Sequence, residues 1–141
     1  MEPDRKMKKY FMISEKNNRF LLQAFIVPIG EDLLVSIWGG TRPHIGAVAL
    51  ALPRPSLRNK KKISASSSVL TVPGHKEDLT VKFVSESLSA ALNKNTAVAA
   101  GIHWDRLTAG EIEEINRMTE KLTKKIITKV RGISDLEKLH G

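Results

Sequence analysis

"ISASSSVLTVPGHKEDLTVKFVSESLSAALNKNTAVAAGIHW", residues 63–104, decides the fold because it reads as a strand, a helix and a second strand in succession. Residues 63–72 are predicted to form a strand that Pro73 and Gly74 end. The small apolar residues 96–104 predict the second strand, and two strands joined through a helix normally point the same way. The predicted helix, 76–93, carries one apolar stripe formed by Val81, Val84, Leu88, Ala91 and Leu92.

Three further strands are predicted on the N-terminal side of this unit. Residues 19–28 and 33–38 are apolar runs that flank a turn at 30–32, so they are expected to pair as a hairpin. Residues 44–52 are apolar on both faces, which is typical of a central strand. The segment 53–62 then forms a long exposed connection.

The second helix has the clearest start signal in the chain. Thr108 is followed three residues later by Glu111, the spacing of a capping box, in which each side chain accepts a hydrogen bond from the other residue's backbone. Gly132 is predicted to end this helix. Its apolar face consists of Ile112, Ile115, Met118, Leu122, Ile126 and Val130.

Together these elements predict a single-domain α+β fold. The expected sheet is mostly antiparallel, has five or more strands, and is mixed if the last two strands run parallel, with two main helices packed on it. We expect this domain to span residues 19–132, preceded by a flexible basic N-terminus at 1–18 and followed by a C-terminal tail at 133–141.

The composition is that of an ordinary globular domain with excess positive charge. Its 141 residues include 23 Lys and Arg against 15 Asp and Glu, and no cysteine, which excludes disulfides and thiolate zinc ligands. The basic residues cluster near the N-terminus, at 58–62 and at 121–131, without the interleaved aromatics of single-strand binders, which argues against nucleic-acid binding. No run reaches the roughly 20 apolar residues of a membrane span, so we expect a cytoplasmic protein.

Three loops are expected to meet at one end of the sheet. If the strands before and after the first helix run opposite to the strand 44–52, the loops 39–44, 73–76 and 101–108 share that end. Each loop carries glycine and histidine, and two of them lead into helix N-termini, which attract anions. The candidate binding residues are Gly39, Gly40, Arg42, His44, Gly74, His75, Lys76, Gly101, His103 and Trp104.

The residue types at this end favour an anionic ligand with a flat ring. Arg42, Lys76 and Arg106 suit a phosphate or a carboxylate, because each adds positive charge beside the helix N-termini. Trp38 and Trp104, the two tryptophans of the chain, flank the same loops and suit stacking on a planar ring.

Each feature also has a plainer interpretation. The glycine pair 39–40 is typical of a tight turn, a single histidine is typically a hydrogen-bonded structural residue, and Trp104 also suits a core. His44, His75 and His103 together suit zinc, but they lie on separate loops without H-x-H or H-E-x-x-H spacing. The chain has no nucleophile elbow, Walker loop or G-x-G-x-x-G motif. We therefore assign no catalytic residue and no metal ligand.

Three segments resemble the family of small prenylated-flavin chaperones that accompany gallate decarboxylase: "GGTRPHIGAVAL" (39–50), "SVLTVPGHKEDL" (68–79) and "TAVAAGIHWDRLTAGEI" (96–112). The resemblance covers about residues 19–130. It implies a fold similar to that of the proteasome assembly chaperones, small α+β proteins that commonly pair as dimers. It also implies a non-enzymatic role in delivering or maturing prenylated FMN for a flavin-dependent decarboxylase.

The resemblance further implies a cargo and partners. Prenylated FMN or FMN is the expected cargo, a decarboxylase subunit the expected partner, and a homodimer a second expected association. The exposed part of the sheet and the outer face of the second helix are equally available as dimer contacts. Two other functions stay open, namely a protein-assembly chaperone that needs no small ligand and a small zinc- or histidine-dependent enzyme. The implied flavin contacts are Gly39, Gly40, His44, Gly74, His75, Gly101 and His103, with Arg42 and Lys76 at the phosphate.

Overall fold

A mixed six-stranded sheet carries two helices on one of its faces, which confirms the predicted α+β class. The structure is a computed structural model that describes residues 9–140. The strands lie in the order β1-β2-β3-β6-β4-β5. The elements are β1 (Phe11–Asn17), β2 (Phe20–Ile29), β3 (Asp32–Gly40), β4 (Ala47–Pro55), β5 (Ile63–Thr71), α1 (Asp78–Leu92), β6 (Thr96–His103) and α2 (Ala109–His140).

The strand–helix–strand unit β5–α1–β6 places β6 inside the sheet. Both β5 and β6 pair antiparallel with β4, so they point the same way, as predicted, although β4 lies between them. On its other side β6 pairs parallel with β3, while the remaining neighbours are antiparallel. The end of β6 therefore lies beside the end of β3, with Gly40 opposite His103.

The core lies between the sheet and the two helices. Most of the apolar stripe predicted for each helix is buried, with Val84 and Leu88 of α1 and Leu122 and Ile126 of α2 fully inaccessible. Full burial of one such side chain stabilises the folded state by about 1.5–3 kcal/mol relative to leaving it exposed. Ile112, predicted to belong to the stripe of α2, is instead 49% exposed. The predicted capping box starts α2, since the backbone N–H of Thr108 donates to Glu111 Oε1 and that of Glu111 donates to Thr108 Oγ1.

The expected flexible N-terminus is corrected by β1, because residues 11–17 form an edge strand that pairs with β2. Asn18 has a φ of 54° and closes a two-residue hairpin turn, a conformation that asparagine adopts readily. Phe11 and Ile13 alternate toward the core and pack against it. Residues 1–8 of the predicted N-terminal segment lie outside the described residues.

The expected C-terminal tail is corrected as well. Helix α2 passes through Gly132 and continues to His140, so it includes residues predicted to lie beyond its end. A single glycine inside a helix costs only about 1 kcal/mol relative to alanine, which a 32-residue helix tolerates. No helix in the described part of the chain is long and apolar enough to cross a membrane.

The second face of the sheet, here called the open face, carries large apolar side chains. In the described residues both helices pack on the opposite face, and the strand registers place Leu34 and Leu50 on the open face beside Ala97. Both leucines are at least 39% exposed. The exposed apolar residues of the open face are Tyr10, Met12, Leu21, Leu34, Val48, Leu50, Leu52 and Leu70.

Candidate functional site

Three loops meet at one end of the sheet, as predicted, and we call this the histidine end: loops 41–46, 72–77 and 104–108, with the strand ends beside them. The His44 and His75 rings are 4.6 Å apart, and the His44 and His103 rings 6.5 Å apart. The loops meet because β3, β5 and β6 all end here and β4 begins here.

Glu77 lies at the centre of the histidine end. This N-cap residue of α1 is buried, and its side chain makes no capping hydrogen bond to the helix. Instead its Oε1 lies 2.8 Å from His44 Nε2 and accepts a hydrogen bond from the Ile102 backbone N–H at 3.3 Å. Its other oxygen, Oε2, is buried with no hydrogen-bond partner among the described residues. One carboxylate therefore joins all three strand-end segments.

Glu77 was not among the predicted site residues, because its partners are far from it along the chain. From sequence, an acidic residue at the start of a helix indicates only a favourable interaction with the helix dipole. Its partners His44 and Ile102 lie 33 and 25 residues away, so no local spacing marks the contact. Gly46 was also missed, although a Cβ there would come within 2.1 Å of Glu77 Oε2. The small residue makes room for the carboxylate.

A second polar group surrounds His103. The His103 Nε2–H donates to Asp105 Oδ1 at 2.9 Å, and Arg42 lies 3.7 Å from the other oxygen of the same carboxylate. The hydrogen bond from His103, followed by the charge of Arg42, holds the pKa of Asp105 below its ordinary value of 3.8. Two of the predicted binding residues thus hold a carboxylate that the prediction omitted.

The glycine pair of the predicted first loop belongs to a strand. Gly39 and Gly40 are the last residues of β3, which corrects their expected loop position, and β4 begins at Ala47 rather than at His44. Gly40 has a φ of 96°, and a Cβ on it would lie 1.8 Å from the His103 carbonyl oxygen. That oxygen accepts a hydrogen bond from the Thr41 N–H at 2.9 Å. The glycine therefore permits the chain to approach its own backbone.

A pocket of about 400 Å³ opens between the N-terminus of α1, the end of β6 and the first turns of α2. Five of the ten predicted binding residues line it: Gly74, His75, Lys76, His103 and Trp104. The other five, Gly39, Gly40, Arg42, His44 and Gly101, lie outside its lining. The lining residues that the prediction omitted are Glu77, Thr80, Ile102, Leu107, Ile112, Ile115, Asn116 and Thr119.

The two tryptophans occupy different surroundings. Trp104 is 9% exposed and packs edge-on against Phe20 with ring centroids 5.0 Å apart, so it is a core residue that also borders the pocket. Trp38 pairs in register with Gly101 and lies on the open face, away from the pocket. Only Trp104 can therefore report directly on a ligand in this pocket.

Comparison with known proteins gives three findings. Residues 16–131 match the family model described as the prenylated flavin chaperone LpdD-like domain. Over 109 residues the chain is 28% identical to Protein LpdD of Lactiplantibacillus plantarum. This matched region covers 77% of this chain and 76% of that protein. It also resembles a chain in the crystal structure of a chaperone complex for yeast 20S proteasome assembly. The TM-score is 0.50 and the identity 12%, over 89% of this chain and 98% of that chain, a likeness of fold.

Proposed function

The chain belongs to the LpdD-like prenylated flavin chaperone family, and from this premise we propose that it binds prenylated FMN, or FMN, in the pocket at the histidine end. In this role it is a non-enzymatic accessory protein that assists maturation or cofactor loading of a flavin-dependent decarboxylase in the cytoplasm. The observation that carries the proposal is the pocket of about 400 Å³, which falls within the usual size range of small-molecule sites.

The pocket lining suits the two parts of a flavin nucleotide. Ile102, Leu107 and Ile115 offer an apolar wall to the ring system, with Trp104 at its border. Lys76 stands beside the N-terminus of α1, where free backbone N–H groups favour a phosphate. Within residues 9–140 no carboxylate lies within ion-pair distance of Lys76, so its charge is available to the ligand.

The other polar side chains of this end make contacts within the protein. His44 contacts Glu77, and His103 together with Arg42 contacts Asp105. In these contacts the groups hold loops in place. We therefore assign His75 and Lys76 to the ligand, and we assign the His44, His103 and Arg42 side chains to holding the loops around the pocket, with His103 also in its lining.

A fluorescence titration tests this proposal. In a Trp38→Phe protein, Trp104 is the only tryptophan, and we expect FMN or prenylated FMN to quench it saturably. Lys76→Ala should weaken binding by at least about tenfold, because a hydrogen bond to a charged group contributes about 1.5–3 kcal/mol. Lys94→Ala, at the other end of the sheet, is the matched control and should leave binding unchanged. Absence of saturable quenching by either flavin, or equal weakening by both variants, would contradict the proposal.

The open face favours a second function, a protein-assembly chaperone that acts through protein contacts without a small ligand. Contiguous exposed apolar surface of this kind marks interaction sites, and two sheets pack face to face when their inner faces are apolar. We expect a second copy of the chain to cover the open face in a homodimer. Leu50→Lys should then reduce the mass measured by light scattering to that of the monomer, whereas Leu79→Lys on α1 should not.

The two functions are separated by combining these variants. If the protein acts through its pocket, Leu50→Lys retains flavin binding and Lys76→Ala retains the dimer. If it acts only as an assembly protein, wild type forms the dimer but shows no saturable flavin binding. A monomeric wild type would remove the homodimer and leave the decarboxylase subunit as the protein partner to test.

A further inference from the structure

Three side chains at the histidine end place metal-ligand atoms close together. His44, His75 and Glu77 each offer one ligand atom, and these atoms all lie within 4.8 Å of one another. The separation of His44 Nε2 from Glu77 Oε1 is 2.8 Å, and that of His75 Nδ1 from Glu77 Oε2 is 3.9 Å. Two imidazoles and a carboxylate are ligands that divalent first-row transition metals accept.

The hydrogen bonding of His44 fixes which of its nitrogens faces these ligand atoms. Its Nδ1 lies 2.8 Å from the Arg42 carbonyl oxygen, which can only accept, so Nδ1 carries a proton. In the neutral ring Nε2 then has a lone pair, and this lone pair faces the Glu77 carboxylate. A proton or a metal cation must lie between them. Metal-bound histidines typically donate their other N–H to a backbone carbonyl in this way.

Glu77 supplies the second, independent observation. Its side chain is 10% exposed, and Oε2 is buried without a hydrogen-bond partner among the described residues. An unsatisfied buried acceptor costs about 1–3 kcal/mol, more when it is charged. The Ile102 N–H holds the other oxygen, which orients the carboxylate with Oε2 directed toward His75. A bound cation would satisfy this oxygen.

We propose that His44, His75 and Glu77 bind one divalent transition-metal ion, with Zn²⁺ as the representative case. His103 is outside this ligand set because its Nε2 bonds Asp105, which distinguishes the site from the three-histidine arrangement considered from sequence. His75 and Glu77 also line the pocket, so a molecule bound in the pocket would lie beside the ion. The site goes beyond the proposed flavin role; it shares His75 with the proposed flavin contacts, but metal binding is tested without flavin.

Cobalt titration of the untagged full chain tests the site without any flavin. After chelator treatment and its removal, Co²⁺ should bind with one ion per chain and produce visible absorption bands, and Zn²⁺ should displace it. His75→Ala removes a ligand whose side chain is 37% exposed, so folding should be retained while metal affinity falls at least tenfold. Glu77→Gln, which preserves shape, should also weaken binding.

His103→Ala is the matched control, since it removes a nearby imidazole outside the ligand set. We expect it to bind Co²⁺ as wild type does. The proposal is overturned if wild type shows no saturable cobalt spectrum, or if His75→Ala and wild type bind with equal affinity. Because flavin is absent throughout, these outcomes leave the flavin titration as a separate test of the proposed function.

Discussion

The two ends of the sheet hold their connecting segments in place by different kinds of contact. At the histidine end, the loops are tied to one another by buried side-chain contacts, with Glu77 reaching His44 and Ile102 across the chain. At the opposite end, the turns are mostly closed locally, by Gly30 in the left-handed region between β2 and β3 and by Asn93 at the C-cap of α1.

Cavity size alone would favour the end opposite to the proposed flavin site. The cavity at the opposite end is larger, about 660 Å³ against about 400 Å³ at the histidine end. However, Lys94 Nζ donates to the Glu31 carbonyl and Arg131 donates to the Ala91 carbonyl, so these two basic groups satisfy the protein's own turns. We therefore place the proposed site by its polar groups with unused binding capacity, such as Lys76 and Glu77 Oε2, rather than by cavity volume.

The largest expected effect comes from adding a methyl group at the histidine end. A Cβ on Gly101 would lie 1.6 Å from the His44 carbonyl oxygen, so backbone must move, and Gly101→Ala should lower the free energy of unfolding by at least about 3 kcal/mol. Gly30→Ala at the opposite end meets nothing within 4 Å and should cost only about 1–2 kcal/mol from its φ of 59°. Chemical denaturation measures both, and equal costs would contradict the comparison.

The next effect concerns the buried carboxylate. Glu77→Ala leaves the Ile102 N–H and His44 without their partner, and we expect a loss of about 1–3 kcal/mol in unfolding free energy. Glu31→Ala, an exposed acidic residue at the opposite end, should change stability by less than about 0.5 kcal/mol. If the two variants unfold at the same denaturant concentration, Glu77 does not hold the loops together.

A smaller effect distinguishes the helix caps of the two ends. Thr108→Ala breaks the capping box of α2 and should cost about 1 kcal/mol. Asn93→Gly keeps the left-handed C-cap of α1 and should change stability by less than about 0.5 kcal/mol, because glycine is the usual residue there. Thermal unfolding followed by circular dichroism checks both variants. An unchanged melting temperature in Thr108→Ala would show that the capping box contributes nothing to stability.

These elements also show which parts of the structure were accessible from sequence. The helices were predictable because apolar residues recur at the helical period and because Thr108 and Glu111 form a purely local motif. The hairpin β1–β2 has its own local signal, Asn18 in a two-residue turn between alternating residues, which the basic composition of the segment obscured. The position of β6 between β3 and β4 has no local signal, since it depends on pairing between distant strands.

For the candidate site, sequence reasoning identified the end of the sheet but not its centre. The convergence of three loops followed from strand direction, which the helix crossover fixes. Glu77 was missed because its partners lie on other segments, and Asp105 because its link to Arg42 joins two loops, although His103 is only two residues away. The α2 residues Asn116 and Thr119 were missed because only tertiary packing brings that helix to the pocket. Local sequence patterns therefore predict which end of the sheet the loops share, whereas the side-chain contacts at that end depend on tertiary packing.

The smallest expected effect is a change in the pKa of Asp105. The pKa of Asp105 is lowered by its hydrogen bond from His103 and by Arg42, so the stabilisation from its charge is present above the unfolded-state value and is lost as pH falls through the folded-state value. NMR titration should show the pKa of Asp105 rising in His103→Ala and less in Arg42→Ala. Glu111 is the control, because its lowered pKa depends first on the Thr108 backbone.

Mapping the bound flavin by NMR tests the central claim most directly. Prenylated FMN added to the ¹⁵N-labelled protein is predicted to shift the amide signals of Lys76, Ile102 and Asn116 at the histidine end. Those of Lys94 and Arg131 at the opposite end should stay in place. Shifts concentrated around the larger cavity, on the open face, or nowhere in the spectrum would contradict a flavin site at the histidine end.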